Sequence, residues 1–343
     1  MAPSTSTERT VGESPPLPPT PEPIMALASG FMSAKHLFAA SELGLFEALA
    51  DSPASIEALA ARTGLTPRAA RISADAMVAL GLLQRTGDLY RNGDTAAAFL
   101  SGGGPGDLRP FLRFWDKLSF PAWSGLATAL GSGPAQEIVE LDESLQEIAS
   151  AGIEAILAGP AAALAHNVDF KGHGRLLDIG GGTGSWSIAA VCANPHLTGT
   201  VFELPPVAKI ASRRIAAAGL QDKIGVTAGD ALAGPLPTGH DVCLMANLVH
   251  YFSPEENRDL LANVRRAVEP GARLLVADFW TDATHTKPLI AALMAGEFAV
   301  HVRHGDVYSV DEGRQWLQGT GWSFVDHTSL AGPVSVLIAE AAS

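Results

Sequence analysis

Asp178 and the glycine-rich segment behind it are the residues in this sequence best suited to bind a ligand. Residues Gly180–Gly184 read Gly-Gly-Gly-Thr-Gly and follow the short apolar run Leu176–Ile179, which predicts a buried strand. Glycines carry no Cβ atom, so a turn from strand to helix here brings backbone N–H groups close to a ligand. Ser185 stands where a dinucleotide fingerprint requires its third glycine. An aspartate at this place would repel a pyrophosphate, so the pattern favours a cationic or amine-bearing ligand.

Two further acids follow predicted strands and extend this candidate site. Glu203 lies in the run Thr200–Leu204, 25 residues after Asp178, and Asp230 follows the run Ile224–Thr227. A carboxylate in the first place can hold both hydroxyls of a ribose, and one in the second can accept a hydrogen bond from an adenine amino group. S-adenosylmethionine joins a nucleoside to an ammonium group and a sulfonium centre, which fits this series of acids. The alternative is a plain glycine-rich turn with ordinary solvated loop acids.

His250 is the candidate for proton transfer. It lies just past the carboxyl end of a fourth predicted strand, residues 241–245, and a capping box at Ser253 and Glu256 opens a helix directly after it. Imidazole titrates near neutral pH, so this side chain can remove a proton from a hydroxyl or an enol. The placement favours an active-site role over a structural one.

A helix predicted from Pro288 carries a second group of polar candidates. Glu297 and His301 continue the spacing of its apolar stripe and lie four residues apart on one face. With His250 they could form a set of two histidines and one carboxylate that binds zinc, iron or a similar divalent metal. The alternative is a Glu–His hydrogen bond that lines a pocket or orients His250. The apolar stripe comprises Ile290, Leu293 and Met294.

Residues 107–168 are predicted to be helical and carry a cluster of aromatic residues. Core packing explains such a cluster, and an aromatic wall for a small acceptor is the functional alternative. Arg113 lies inside the cluster and could hold a carboxylate in a bidentate manner, although an exposed arginine is the default. Arg303 is a similar candidate anchor, and His304 is a weaker candidate base. The cluster comprises Phe111, Phe114, Trp115, Phe120 and Trp123.

The segments around these candidates predict an α/β protein with a second, mostly helical region before it. Residues 24–106 give helices, a helix start at Thr66-Pro67 and a hairpin at 81–90, which together resemble a winged helix. Six basic and seven acidic residues give this region a net charge of −1, which provides no footprint for phosphates. Strands at 272–278, 322–325 and 335–339 and a capped helix from Ser309 complete the predicted sheet.

Composition sets the class of protein. The net charge of −13 argues against a nucleic-acid partner. The two cysteines lie in apolar runs, as expected for a reducing compartment. The sequence contains no uninterrupted run of 18 apolar residues, so it predicts no membrane span. Residues 1–23 are rich in proline and are expected to be a disordered leader without a secretion signal. We therefore expect a cytoplasmic enzyme without a membrane partner.

The segments LLDIGGGTG, VFELPPV, GDAL and NLVHYF resemble the two-domain S-adenosylmethionine-dependent O-methyltransferases. The resemblance covers roughly residues 24–340. It implies a class I methyltransferase sheet, Rossmann-like, in the catalytic domain at 169–343. It also implies a winged-helix dimerisation domain at 24–106 whose helices help roof the partner's active site in a homodimer. The connector at 107–168 would line the acceptor pocket.

The same resemblance assigns roles to single residues. Asp178 and the glycine turn would bind the methionine part of the cofactor, Glu203 the ribose and Asp230 the adenine. His250 would be the catalytic base, oriented by the acid Asp278. The implied cofactor-binding residues are Asp178, Gly180, Gly181, Gly182, Gly184, Glu203, Asp230, Ala231 and Asn247.

Three functions follow, and we favour the first narrowly. The first is methylation at C3 of a 2-oxo acid whose carboxylate and carbonyl oxygens chelate a metal held by His250, Glu297 and His301. A ligated His250 could not act as the base, so water or His304 would have to take the proton. The second is metal-free O-methylation of a phenol or enol with His250 as base. The third, disfavoured by the charge of the N-terminal region, is a regulator that binds S-adenosylmethionine through a winged helix.

Overall fold

The computed structural model describes residues 19–102, 104, 106–136 and 141–343. Most of the proline-rich leader, residues 1–18, lies outside the described residues, as do positions 103 and 105 of the glycine-rich joint. The leader was expected to reach residue 23, but a helix already begins at Glu22. Proline is tolerated in the first turn of a helix, where its missing N–H has no partner to lose, and Pro23 occupies such a position.

The N-terminal region contains the predicted helices and hairpin. Thr66 caps the fourth helix by accepting a hydrogen bond from the amide of Ala69, and Pro67 is its first residue. Phe46, Leu59 and Met77 are fully buried in a core of its own. The elements are α1 (Glu22–Ser29), α2 (Phe31–Glu42), α3 (Ile56–Thr63), α4 (Pro67–Ala79), β1 (Leu83–Thr86), β2 (Leu89–Asn92) and α5 (Asp94–Phe99).

The connector is helical, as predicted. A single π-helical turn, Trp115–Ser119, joins its first two helices and redirects the chain. The helices are α6 (Arg109–Phe114), α7 (Phe120–Trp123), α8 (Leu126–Ser132) and α9 (Glu143–Asn167).

Helix α9 qualifies the expectation about membranes. Its residues Ser144–Asn167 are long and apolar enough to cross one, with a mean hydropathy of 1.6 over 18 residues. In the structure α9 packs against α6 and against the helix Ser185–Ala193. Its residues Leu157, Ala161 and Leu164 are buried in one of the apolar cores beside the sheet, which accounts for part of its apolar character.

The region after α9 is built on one seven-stranded sheet with the order β5-β4-β3-β6-β7-β9-β8. The first five strands in that order run parallel, and β9 pairs antiparallel with both β7 and β8. This arrangement confirms the predicted class I sheet with its antiparallel edge pair. The strands are β3 (Arg175–Ile179), β4 (Thr198–Glu203), β5 (Ile224–Ala228), β6 (Val242–Ala246), β7 (Arg273–Asp278), β8 (Trp322–Ser329) and β9 (Ser335–Ala341).

Helices cover both faces of this sheet. Alternating residues of β3 point to opposite sides, so Leu177 packs in one apolar core and Leu176 in the other. Capping boxes at Ser253 and Ser309 open two of the helices, as predicted from the sequence. The helices are α10 (Ser185–Ala193), α11 (Pro205–Ala217), α12 (Pro254–Arg266), α13 (Leu289–His301) and α14 (Val310–Gly319).

Candidate active site

Asp178 lies at the carboxyl end of β3, in the middle of the sheet, and is completely buried. Its Oδ2 atom accepts a hydrogen bond of 2.7 Å from the Ser187 hydroxyl, and its Oδ1 atom has no partner among the described residues. Burial, together with the nearby Glu203 carboxylate, raises the pKa of Asp178 to about 7. The free buried oxygen is therefore ready to accept a hydrogen bond from a bound cation.

The glycine turn wraps around this carboxylate. A Cβ atom at Gly181 would lie 2.7 Å from Cγ of Asp178, so the turn leaves no room for a side chain there. Gly182 has a φ of +56°, a conformation that favours glycine. Helix α10 begins directly behind the turn, so its N-terminal amides face the same place.

Glu203 joins the turn from the neighbouring strand β4. Its Oε2 atom accepts a hydrogen bond of 2.9 Å from the amide of Gly182, and its Oε1 atom accepts one of 2.6 Å from the amide of Leu204. Burial raises the pKa of this carboxyl group. Both oxygens keep a lone pair for further donors, such as a pair of ribose hydroxyls.

The remaining predicted cofactor residues line the same edge of the sheet. Asp230 follows β5, is exposed, and accepts a hydrogen bond of 2.9 Å from the amide of Leu232. Ala231 is half-buried against the sheet core. Asn247 follows β6 with a φ of +51°, and its buried Oδ1 atom has no partner within the described chain. The ends of β3, β4, β5 and β6 thus present four polar side chains to one edge.

His250 lies in a short 3₁₀ turn, Val249–Tyr251, just past β6. Its Nδ1 atom is 2.7 Å from Oδ1 of Asp278 at the end of β7, and the two residues are 5% and 1% exposed. Phe298 of α13 stacks on the imidazole at 3.9 Å with an interplanar angle of 11°. Asp278 accepts a hydrogen bond from the N–H at Nδ1, so the Nε2 lone pair is left to act as a base. None of the described residues makes a hydrogen bond to Nε2 of His250.

The sequence interpretation missed one residue that sets the position of His250. A Cβ atom at Gly305 would lie 1.7 Å from the carbonyl oxygen of His250. The chain after α13 therefore crosses the histidine turn at a distance that only glycine permits. The sequence around Gly305 carries no signal for this contact, because the two segments are brought together only by the fold.

Glu297 and His301 are both buried on α13, as predicted. Oε2 of Glu297 accepts hydrogen bonds from the indole N–H of Trp123 and from the hydroxyl of Ser119, the latter at 2.6 Å. Oε1 of Glu297 lies 3.2 Å from Nε2 of His301, within ion-pair distance, but both atoms are buried and neither makes a hydrogen bond in the described chain. Trp123 comes from the predicted aromatic cluster, whereas Ser119 was not predicted.

The apolar stripe predicted for α13 is wrong in part. Ile290 and Leu293 are 52% and 54% exposed, whereas Ala291 and Phe298 are buried. The helix is apolar around most of its circumference, so periodicity alone does not identify the face that packs inward.

The predicted metal set is not assembled. Nδ1 of His250 is bound to Asp278, and one oxygen of Glu297 already accepts two hydrogen bonds. Within residues 19–102, 104, 106–136 and 141–343, no three or more His, Cys, Asp or Glu side chains are grouped so that they could hold a metal ion. The hypothesis of a site formed by His250, Glu297 and His301 therefore lacks support.

The predicted aromatic acceptor residues lie mainly in packing positions. Phe114 is buried beside Leu118 and Ala149, and Trp115 makes an edge contact with Phe111 at 5.8 Å between ring centroids. These contacts match the packing alternative. The connector residues that do reach α13 are Ser119 and Trp123, which bond to Glu297. We refer to these residues, together with Phe298 and His301 of α13, as the candidate acceptor wall.

The three remaining candidates, Arg113, Arg303 and His304, are exposed. Arg113 lines a groove of about 660 Å³ between the N-terminal region and α9. His304 is 60% exposed and lies 4.0 Å from a carboxylate oxygen of Glu256. Arg303 extends toward Gly133 at the end of α8. His304 follows α13, and its exposed imidazole faces Glu256 of α12, so its role as a second base remains a prediction.

Comparisons with known proteins agree with this geometry. The profile of the O-methyltransferase domain matches residues 126–323, and that of the O-methyltransferase dimerisation domain matches residues 25–102. The chain is 34% identical to 3-hydroxy-5-methyl-1-naphthoate 3-O-methyltransferase of Streptomyces sahachiroi, covering 93% of this chain and 94% of the relative. It is 30% identical to the tetracenomycin polyketide synthesis 8-O-methyl transferase TcmO of Streptomyces glaucescens, covering 93% and 96%.

A solved structure gives the same result. The apo form of the S-adenosylmethionine-dependent methyltransferase SibL superposes with a TM-score of 0.79 at 31% sequence identity. The superposition covers 94% of this chain and all of that chain.

Proposed function

This chain belongs to the O-methyltransferase family and is an S-adenosylmethionine-dependent methyltransferase; from this premise we propose that it methylates a phenol or enol oxygen of a small secondary metabolite. Two similar relatives from Streptomyces are named for methyl transfer to oxygen, at a naphthoate and at a polyketide. The buried His250–Asp278 pair at the edge that carries the glycine turn is the observation on which the proposal depends. These findings favour oxygen over the C3 atom of a 2-oxo acid, so we abandon the metal-dependent hypothesis.

The cofactor edge suits S-adenosylmethionine. The unpaired Oδ1 atom of Asp178 and the close approach of Gly181 fit the ammonium group of its methionine part. Glu203 would hold the ribose and Asp230 the adenine, with Asn247 contributing a free amide oxygen beside them. When bound, the cofactor supplies a methyl group on a sulfonium centre, which an oxygen nucleophile takes by in-line displacement.

His250 makes the acceptor nucleophilic in this proposal. Its Nε2 atom takes the proton of the acceptor hydroxyl, which leaves an electron pair on oxygen for the new bond to carbon. Asp278 stabilises the imidazolium that forms, because its carboxylate lies 2.7 Å from Nδ1. Phe298 stacks on the ring and Tyr251 contacts it at 4.5 Å between centroids, and these aromatic neighbours limit the access of water.

The dimerisation domain supports a homodimer. All eight residues of α1 are exposed in the single chain, including Ile24, Met25 and Leu27. We propose that 24–106 forms the dimer interface, 107–168 the connector and 169–343 the catalytic domain. The described cysteines, Cys192 and Cys243, are free, which supports a reducing compartment such as the cytoplasm.

The test is methyl transfer with purified enzyme, labelled S-adenosylmethionine and a panel of hydroxylated naphthalenes and polyketide phenols. We expect a mass gain of one methyl group and an NMR signal typical of a methoxy carbon. A product methylated on carbon, or no transfer to any phenol by enzyme that binds the cofactor, would contradict the proposal.

A further inference from the structure

Glu297 links the connector to the helix that supports His250. Ser119 and Trp123 donate to one of its oxygens, while the other oxygen points away from them and remains buried without a partner. Nε2 of His301 lies 3.2 Å from that oxygen, which is ion-pair distance if the imidazole is protonated, but neither buried atom makes a hydrogen bond within the described chain. A buried acceptor and a buried ring nitrogen that both lack a hydrogen bond are unfavourable in a closed protein, unless a bound group completes both.

This pair lies on the helix that contacts the candidate catalytic histidine. Phe298, the residue after Glu297, stacks on the His250 ring at 3.9 Å. Burial raises the pKa of Tyr251 to about 12, and the carboxylates of Asp278, Glu203 and Glu297 add to the effect. Glu297 is therefore close enough to act on the residue next to His250.

The charges around the pocket restrict what can bind there. The buried acids of the described chain are Asp178, Asp278 and Glu297, and no lysine or arginine is buried in that part of the protein. An anionic group placed beside Glu297 would be repelled without a compensating buried cation. A neutral hydrogen-bond donor would be attracted.

We propose that Glu297 and His301 bind a second hydroxyl group of the acceptor, so that the substrate is a dihydroxylated arene and not a hydroxy-carboxylate. The hydroxyl donates to Oε1 of Glu297 and accepts from the N–H at Nε2 of His301, which satisfies both unpaired atoms. This inference rests on the proposed O-methylation and distinguishes this chain from the relative named for a naphthoate.

The test compares three naphthalenes that differ only at one position. These probes are 1,3-dihydroxynaphthalene, 2-naphthol and 3-hydroxy-1-naphthoate, titrated into wild-type protein loaded with S-adenosylhomocysteine. We expect the dihydroxy compound to bind about tenfold more tightly than either of the others. One buried hydrogen bond to a charged group accounts for a difference in affinity of this size. Equal affinity for the three, tighter binding of the naphthoate, or no binding of the dihydroxy compound would overturn the proposal.

The variant Glu297→Gln sharpens the comparison. Its amide oxygen can still accept from Ser119 and Trp123, which turns the NH₂ group toward the pocket and replaces an acceptor with a donor. The dihydroxy compound should lose about tenfold in affinity and the naphthoate should gain, so the order of preference reverses. Glu147→Gln, on the exposed side of α9, is the matched control and should keep the wild-type order. An unchanged order in Glu297→Gln would contradict the assignment.

Separate measurements distinguish this inference from the proposed function. Cofactor titration and methyl transfer report on O-methylation itself, whereas the ranking of the three ligands reports on the Glu297 subsite. If the ranking is as expected but no methyl group is transferred, the proposed function fails alone. If transfer occurs with no preference among the three, only the subsite assignment fails. The wild-type ranking also stands if Glu297→Gln does not fold.

Discussion

The cofactor edge and the acceptor wall are built in different ways. At the cofactor edge, the contact from Ser187 to Asp178 spans nine residues and that from Gly182 to Glu203 spans 21. In the acceptor wall, the contacts of Glu297 with Ser119 and Trp123 span 178 and 174 residues. One half of the site is therefore local in the sequence, and the other is assembled from distant segments.

Local sequence patterns identify the cofactor edge more readily than the candidate acceptor wall. The cofactor edge needs one kind of local feature, a strand that ends in an acid, repeated along parallel strands whose carboxyl ends meet at one edge. The acceptor wall needs the right helix face to meet the right turn of the connector. His250 belongs to both halves, because its turn follows β6 while its ring contacts Phe298 of α13.

The variant His250→Ala should show the largest difference between an effect on catalysis and an effect on cofactor binding. Loss of the base should lower kcat/KM by roughly 10²–10⁴-fold. The dissociation constant of S-adenosylmethionine should change by no more than about twofold, because a group that acts only on the acceptor contributes to the transition state and not to cofactor binding. Steady-state kinetics and calorimetric titration measure the two quantities. Full activity in the variant would remove His250 from the chemistry.

The substitution Gly305→Ala tests whether the fold holds the histidine turn in place. The added Cβ atom would meet the carbonyl oxygen of His250, so we expect a loss of about 1–3 kcal/mol in the free energy of unfolding, together with lower kcat. Gly319→Ala is the matched control, since a Cβ atom there meets nothing within 4 Å. The control should be neutral or gain about 0.4–1 kcal/mol. Equal melting curves for the two variants would contradict the contact.

The pH dependence of cofactor binding tests the other half of the site. The pKa of Asp178 is raised to about 7, so this carboxyl group is protonated in the free protein below that pH and loses its attraction for an ammonium group. The dissociation constant should therefore rise as the pH falls below about 7, by up to about tenfold per pH unit. Asp178→Asn should bind weakly at every pH, with a nearly flat profile. A steep profile in that variant would assign the titration to another group.

The smallest effect is expected from chelation. Activity after treatment with a chelator should stay within about twofold of the untreated enzyme, whereas disturbing a catalytic metal would lower it by roughly 10–100-fold or more. The assay compares initial rates before and after dialysis, with added Zn²⁺ and Fe²⁺ as controls. A loss of activity that either ion restores would bring back the hypothesis of a metal in the acceptor wall.

The sequence by itself determined the helices, the strands and the order of the acids along the cofactor edge. Strand patterns, glycine spacing and the capping boxes at Ser253 and Ser309 act over a few residues, so they can be recognised without the fold. The helices and the hairpin of the N-terminal region were also predictable, although its assignment to dimerisation came from resemblance and from the matched domain profile.

Only the tertiary structure decided the acceptor wall. Helix α13 is apolar on nearly every side, so its sequence does not specify which face packs inward, and the spacing that favoured Ile290 and Leu293 was misleading. The ring of Trp123, which would lie 2.8 Å from a Cβ atom at Gly296, sets that face through a contact between segments far apart in the chain. The same packing brings the indole N–H of Trp123 and the hydroxyl of Ser119 next to Glu297. Its buried carboxylate accepts hydrogen bonds from both, because a buried charge is stable only when it is hydrogen-bonded.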